Sequence, residues 1–79
     1  MGWIEEVASA FGAEPLSPQE TDELLEVARE VAHAVERKAT PLATFLLGMR
    51  VHATVASGGD RAAAIRAAVG ELRGLLERP

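Results

Sequence analysis

The segment from Thr40 to Val55 constrains the fold most, because its residues are apolar on nearly every side of the helix that they would form. Thr40 and Pro41 are typical of a helix start, with threonine capping the free amides and proline in the first helical position. The large apolar residues that follow are Leu42, Phe45, Leu46, Leu47, Met49, Val51 and Val55. Such a helix is normally buried by neighbours on several sides. We therefore predict an all-α fold, a compact four-helix bundle with this apolar third helix at its centre.

The first two helices are predicted from the spacing of apolar residues and from their caps. One face of the first helix comprises Trp3, Ile4, Val7, Ala8 and Phe11. Gly12 follows where a C-terminal cap belongs. The second helix begins with Ser17 and Pro18, Glu20 closes a capping box, and the helix is predicted to extend to about Lys38. Its predicted core stripe comprises Leu24, Leu25, Ala28, Val31, Ala32 and Val35, with Val27 beside it.

The last helix is predicted to follow a glycine turn. Gly58 or Gly59 can adopt a positive φ, and Asp60 is a suitable N-cap. The buried stripe of this helix is predicted to comprise Ile65, Ala68, Val69, Leu72, Leu75 and Leu76. The sequence has no internal repeat and no alternating apolar run long enough for a strand. We therefore expect residues 1–79 to form a single helical domain.

Length and composition argue against several functional classes. A chain of 79 residues in which much of the apolar content is alanine encloses only a small core, so we expect neither an enzymatic pocket nor a cofactor. The net charge is −4 and the basic residues are scattered singly, which disfavours nucleic acid as a partner. No apolar run approaches the ~20 residues of a membrane span. The absence of cysteine is compatible with a cytoplasmic protein, and we expect a soluble one.

The second and third helices carry a candidate anion-binding site. Arg29, His33 and Arg37 are spaced four residues apart, so they would line one side of the second helix. Together with Thr40 and the free amides of the third helix, they could hold a phosphate or a carboxylate. The alternative is purely structural: Arg29 would pair with Glu26, the other two cations would favour the end of their helix, and Thr40 would only cap.

The first helix offers a candidate interaction surface formed by Trp3, Val7 and Phe11. Aromatic residues at helical spacing usually belong to a core, but a tryptophan on a short helix can also anchor a protein partner. A metal site is not expected, because His33 and His52 are the only histidines and lie in no known metal-binding motif. A further alternative is a small enzyme that uses His33 as a general base.

Several of these residues resemble a known family. They are the early Trp3, the run from Leu24 to Arg37 with Ala32 and His33, and the segment Pro41, Leu42, Phe45, Leu46 and Gly48. This pattern resembles the DUF6457 family of small actinobacterial domains. Members of that family occur alone or attached to molybdenum cofactor guanylyltransferase-like proteins. Lys38 departs from the family pattern, which often has a proline or a small residue at this position.

The resemblance implies an accessory role in molybdenum cofactor biosynthesis rather than transferase activity, since the glycine-rich nucleotide-binding start of the transferase is missing. The resulting hypothesis is a small non-catalytic binding or interaction module. Its partner would be a molybdenum cofactor guanylyltransferase-like protein, or a second copy of the chain. The alternative that needs no other protein is a structural homodimerisation domain, in which the apolar patch near the first helix pairs with itself.

Overall fold

The computed structural model describes residues 2–78 and contains four helices within them. These are α1 (Gly2–Ala10), α2 (Pro18–Ala34), α3 (Ala39–Ala56) and α4 (Arg61–Leu76). No strand occurs among the described residues. The prediction of an all-α fold with four helices is therefore confirmed.

The predicted caps of α2 and α4 are confirmed, because each depends on neighbouring residues alone. The amide of Glu20 donates to Ser17 Oγ at 3.1 Å, and the amide of Ser17 donates to Glu20 Oε1 at 2.8 Å, which completes the capping box. Asp60 Oδ2 accepts a hydrogen bond from the amide of Ala63 at 2.9 Å. Glycine takes the positive φ at both predicted turns, with +67° at Gly12 and +101° at Gly58.

The core lies between α2, α3 and α4, each of which packs against the other two. It comprises Val27, Leu47, Val51, Ala64, Ile65, Ala68 and Val69. Helix α1 lies apart from this core, since none of its Cα atoms comes within 8 Å of a Cα atom in another helix. The hydrophobic core is thus a three-helix arrangement to which α1 is attached.

The predicted central position of α3 is wrong. Only Leu47 and Val51 of this helix are buried, and both lie on the side that faces α2 and α4. Val55 is 36% exposed, and the remaining large apolar side chains are 57–69% exposed, namely Leu42, Phe45, Leu46 and Met49. The physical reason is that α1 does not cover the outer side of α3, so the helix has neighbours on one side only.

The boundary between α2 and α3 also differs from the prediction. Helix α2 ends at Ala34 rather than Lys38, because Val35 leaves the helical region with φ −114° and ψ −85°. Thr40 does not cap α3: Lys38 is the N-cap residue, and it makes no side-chain capping bond. Instead, Thr40 Oγ1 donates to the carbonyl oxygen of Ala28 at 3.4 Å and so connects the two helices.

Three residues of the predicted core stripes are exposed. Of the two fully buried valines of α2, Val31 belongs to the predicted stripe and Val27 was predicted only beside it. Leu25 and Val35 of the predicted second helix and Leu75 of α4 lie on the surface. Val27, predicted to lie beside the stripe, is 0% exposed. The buried side of α2 is therefore rotated toward Val27 and Val31, since α3 and α4 contact the helix there. Among the described residues, no helix is long and apolar enough to cross a membrane.

Candidate interaction surfaces

The candidate anion-binding residues lie at the junction of α2 and α3, but they do not share one helix. Arg29 and His33 lie one turn apart on α2 and are exposed, whereas Arg37 lies in the turn that follows the helix. Thr40 is half-buried, and its hydroxyl is directed to Ala28. The continuous ladder expected from a longer second helix is therefore interrupted before Arg37. Anion binding stays a prediction, which a phosphate titration of the Arg37→Ala variant would test.

The alternative pairing of Arg29 with Glu26 is wrong. Glu26 accepts a hydrogen bond from Arg73 Nη2 at 2.9 Å instead, and Glu30 receives two more from the same guanidinium. Within residues 2–78, no carboxylate lies within ion-pairing distance of Arg29. Arg73 thereby connects α4 to α2, a contact that no local sequence signal indicates.

The predicted α1 surface consists of Trp3, Val7 and Phe11. Trp3 is 72% exposed and Phe11 is 81% exposed, while Val7 is half-buried. Next to this surface, Ile4 and Glu5 line a shallow pocket with Leu16, Pro18, Thr21 and Asp22. Helix α1 therefore faces the start of α2 across this pocket, and the side chains of Trp3 and Phe11 stay exposed.

Helix α1 is terminated by its own residues rather than by packing. The amide of Ala13 donates to the carbonyl oxygen of Ala8 at 2.8 Å, and the amide of Gly12 donates to that of Ser9 at 3.1 Å. These two bonds form a Schellman motif, in which a residue of positive φ satisfies the last carbonyls of a helix. The end of α1 is thus defined even though the helix lies apart from the core.

Arg61 is the residue that the sequence analysis missed. Its guanidinium donates from Nε to Glu20 Oε2 at 3.0 Å and from Nη2 to Glu20 Oε1 at 2.7 Å. It also donates to the carbonyl oxygens of Glu14 and Pro15 at 2.8 and 2.7 Å. These bonds attach the linker after α1 to the first turns of α2 and α4. Glu20 and Arg61 are 41 residues apart in the chain, so no spacing rule could have paired them.

The carboxyl group of Glu20 is nearly inaccessible, with 4% of the residue exposed. The hydrogen bonds from Arg61, followed by that from the amide of Ser17, lower the pKa of Glu20 from 4.5 to about 2. The side chain is therefore ionised throughout the physiological pH range. Its two roles, closing the capping box and binding Arg61, make it the polar centre of this end of the molecule.

The second exposed apolar surface is the outer face of α3, which we define by Leu42, Phe45, Leu46 and Met49. Beside Gly48, whose missing side chain leaves open space, the surface is concave. The concavity measures about 480 Å³ and is lined by Thr44, Phe45, Gly48, Met49, His52 and Ala53. Arg50 is the only Asp, Glu, Lys or Arg residue of α3, and its Nε lies 3.1 Å from Glu71 Oε1.

In the part of the chain that the structure describes, no group of three or more His, Cys, Asp or Glu side chains is close enough to hold a metal ion.

The α1 surface and the outer face of α3 are suited to contact with apolar partners, since both lack a cluster of polar side chains. Several exposed apolar side chains lie close together on each of these surfaces, whereas the exposed apolar residues of a monomer are usually scattered singly. Surfaces of this kind usually bind another protein.

Comparison with known protein families identifies a match. The model of the family described as "Domain of unknown function (DUF6457)" matches residues 1–79, which is the whole chain. No curated protein and no solved structure matches the chain. The resemblance found in the sequence is thereby confirmed.

Proposed function

Since this chain belongs to the DUF6457 family, we propose that it is a non-catalytic docking module that binds a protein partner through the α1 surface. The setting that we propose is molybdenum cofactor biosynthesis in the cytoplasm of an actinobacterium. The partner would be a molybdenum cofactor guanylyltransferase-like protein. The attachment of such domains to proteins of that kind supports this choice.

The exposure of Trp3 and Phe11 is the observation that carries the proposal. Trp3 on α1 and Phe11 directly after it are 72% and 81% exposed, although each side chain would stabilise the domain if it were buried. Tryptophan is enriched among the residues that contribute most to protein interfaces. A partner that covers both rings would bury apolar area that the domain itself leaves in water.

The charge of α1 indicates the kind of surface that it would meet. Glu5 and Glu6 are exposed, and the helix contains no basic residue. A partner with an apolar pocket bordered by Arg or Lys side chains would match this helix, because opposite charges at the rim of an interface favour the correct encounter. Nucleic acid does not fit, since its phosphates would repel these carboxylates.

Trp3 provides a direct test, because it is the only tryptophan of the chain. We would label the domain with 5-fluorotryptophan and titrate it with a purified actinobacterial molybdenum cofactor guanylyltransferase, following the single ¹⁹F resonance. Burial of the ring should shift and broaden this resonance in a saturable manner. The enzyme's own tryptophans carry no label and do not interfere.

Phe11→Ala and Leu25→Ala form a matched pair for this titration. Both residues are exposed apolar side chains, but only Phe11 belongs to the α1 surface. Phe11→Ala should weaken binding about 30-fold, as expected for loss of an interface anchor worth about 2 kcal/mol. Leu25→Ala should leave the affinity unchanged. Equal effects of the two variants, or an unchanged ¹⁹F resonance at saturating enzyme, would contradict the proposal.

A further inference from the structure

We infer that the outer face of α3 binds the same face of a second copy of this chain. In this dimer the two α3 helices run antiparallel about a two-fold axis that passes beside Met49. The contact is separate from the α1 surface and does not depend on the proposed function. It leaves both α1 helices of the dimer free for another partner.

The first argument comes from two opposite apolar stripes on α3. Leu47 and Val51 form the buried stripe against α2 and α4. Leu42, Phe45 and Met49 follow one another at spacings of three and four residues and form a second stripe on the opposite side. They are 68%, 69% and 57% exposed. A helix keeps an apolar stripe on both sides when each of them has a partner.

The second argument is the distribution of side-chain size along the outer stripe. The large residues Leu42 and Phe45 lie in the first half of α3, whereas Ala53 and Ala56 occupy the second half. Antiparallel pairing about Met49 places Leu42 opposite Ala56 of the other copy and Phe45 opposite Ala53. Large residues then fill the space above small ones, as close packing requires.

The centre of the contact fits the same arrangement. Met49 would lie opposite Met49 of the second copy, next to the concavity at Gly48, where a side chain of the partner finds open space. Methionine adapts well to such a position because its side chain is unbranched and flexible. A parallel arrangement would instead oppose Leu42 to Leu42 and leave a gap between the alanines.

The third argument is the absence of opposing like charges along the stripe. Lys38 immediately precedes α3 and is exposed. Antiparallel pairing places the Lys38 residues of the two copies at opposite ends of the interface, whereas parallel pairing would bring them together. The single charged residue of α3, Arg50, is already neutralised by Glu71. No like charges meet across the axis, in agreement with a self-complementary contact.

The length of α3 limits the size of the dimer interface. Helix α3 has 18 residues and is about 27 Å long. The groove between α3 and α4 extends the apolar surface from Leu46 to Leu72 and Leu75. Such a strip lies at the lower end of specific interfaces, so we expect a dissociation constant on the order of 1–10 µM.

Sedimentation equilibrium from 1 to 500 µM tests whether the dimer exists and which face forms it. The wild type should change from monomer to dimer within this range, and Phe45→Glu should remain monomeric at every concentration. Trp3→Glu is the matched control, since it places the same charge on the other apolar surface and should dimerise like the wild type. Both positions are exposed, so circular dichroism should report folded helices in both variants.

These variants also separate this inference from the proposed function. Trp3→Glu is expected to lose the guanylyltransferase partner and to keep the dimer, whereas Phe45→Glu is expected to do the reverse. A wild type that stays monomeric up to 500 µM would overturn the dimer and leave the outer face of α3 for a different protein. Dissociation of the dimer by both variants would also overturn it, since α1 would then take part in the contact.

Single cysteines test the antiparallel register, because the chain contains no native cysteine. Met49→Cys should form a disulfide-linked dimer under mild oxidation, since the two-fold axis places the two thiols side by side. Leu42→Cys should not cross-link to itself but should cross-link to Ala56→Cys when the two variants are mixed. Self-linkage of Leu42→Cys would indicate parallel pairing and overturn the arrangement.

Discussion

Arg61 and Glu20 form a bidentate ion pair that joins the first turn of α4 to the first turn of α2. Arg61 Nη2 lies 2.7 Å from Glu20 Oε1, and Nε lies 3.0 Å from Oε2. The carboxylate is buried, while 29% of the arginine side chain is exposed. The pair therefore combines a desolvated acceptor with a donor that reaches it from the surface.

Replacing Arg61 by alanine should destabilise the domain by about 2 to 3 kcal/mol, because it leaves the Glu20 carboxylate buried without its main partner. Arg66→Ala is the control, since Arg66 lies on the same helix and is exposed. Its effect should stay within about 0.5 kcal/mol. Urea unfolding followed by circular dichroism measures both changes, and a similar loss in the two variants would show that the ion pair contributes little.

The Glu20 carboxyl group should also determine the acid stability of the domain. Its pKa falls from 4.5 to about 2 on folding, so its contribution is fully present above pH 4.5 and disappears as the pH decreases toward 2. We expect the melting temperature of the wild type to fall across this window. Glu20→Gln should have a lower melting temperature at pH 7 and a flatter profile below pH 4.5. If the melting temperatures of the wild type and of Glu20→Gln fall in parallel below pH 4.5, other carboxylates cause the loss of stability in acid.

The turn after α3 requires glycine, whereas the interior of α4 does not. Gly58 has a φ of +101°, so Gly58→Ala should cost about 1 kcal/mol. Gly70 lies within α4, and a Cβ atom there would meet nothing within 4 Å. Gly70→Ala should therefore stabilise the domain by about 0.5 to 1 kcal/mol. Thermal unfolding of the two variants should shift the midpoint in opposite directions.

Two neighbouring positions on α2 should respond very differently to truncation. Val27 is 0% exposed and lies in the core, whereas Leu25 is 54% exposed. Val27→Ala should cost about 2 kcal/mol through lost burial and an incompletely filled cavity. Leu25→Ala should change stability by less than about 0.5 kcal/mol. Chemical denaturation measures the loss of stability in both variants. The stripe predicted from the sequence, with Leu25 in the core, would instead make Leu25→Ala the more destabilising change.

The features that the sequence predicted well depend on residues close together in the chain. The capping box at Ser17, the cap at Asp60 and the glycine turns at Gly12 and Gly58 each involve no more than a few consecutive residues. Their hydrogen bonds form as soon as the local backbone adopts the required angles. Packing elsewhere in the molecule has little influence on them.

The sequence did not predict features that depend on where the helices pack. The spacing of Leu42, Phe45 and Met49 is the same whether their side of α3 is buried or exposed, so the pattern could not reveal that α1 lies elsewhere. The ion pairs of Arg61 and Arg73 join residues more than 40 positions apart and follow no local rule. Candidate surfaces could be named from the sequence, but only packing decided which of their residues are exposed.

The bonds from Arg61 to the carbonyl oxygens of Glu14 and Pro15 have a thermodynamic consequence for docking through α1. They fix the linker at a point two residues beyond the positive-φ turn at Gly12, so little backbone freedom remains between the core and the helix. Ordering a segment on binding costs about 1 to 2 kcal/mol per residue in backbone entropy. Much of this entropy is already lost when the domain folds, so it does not have to be lost on binding. A larger part of the free energy gained by burying Trp3 and Phe11 therefore contributes to affinity.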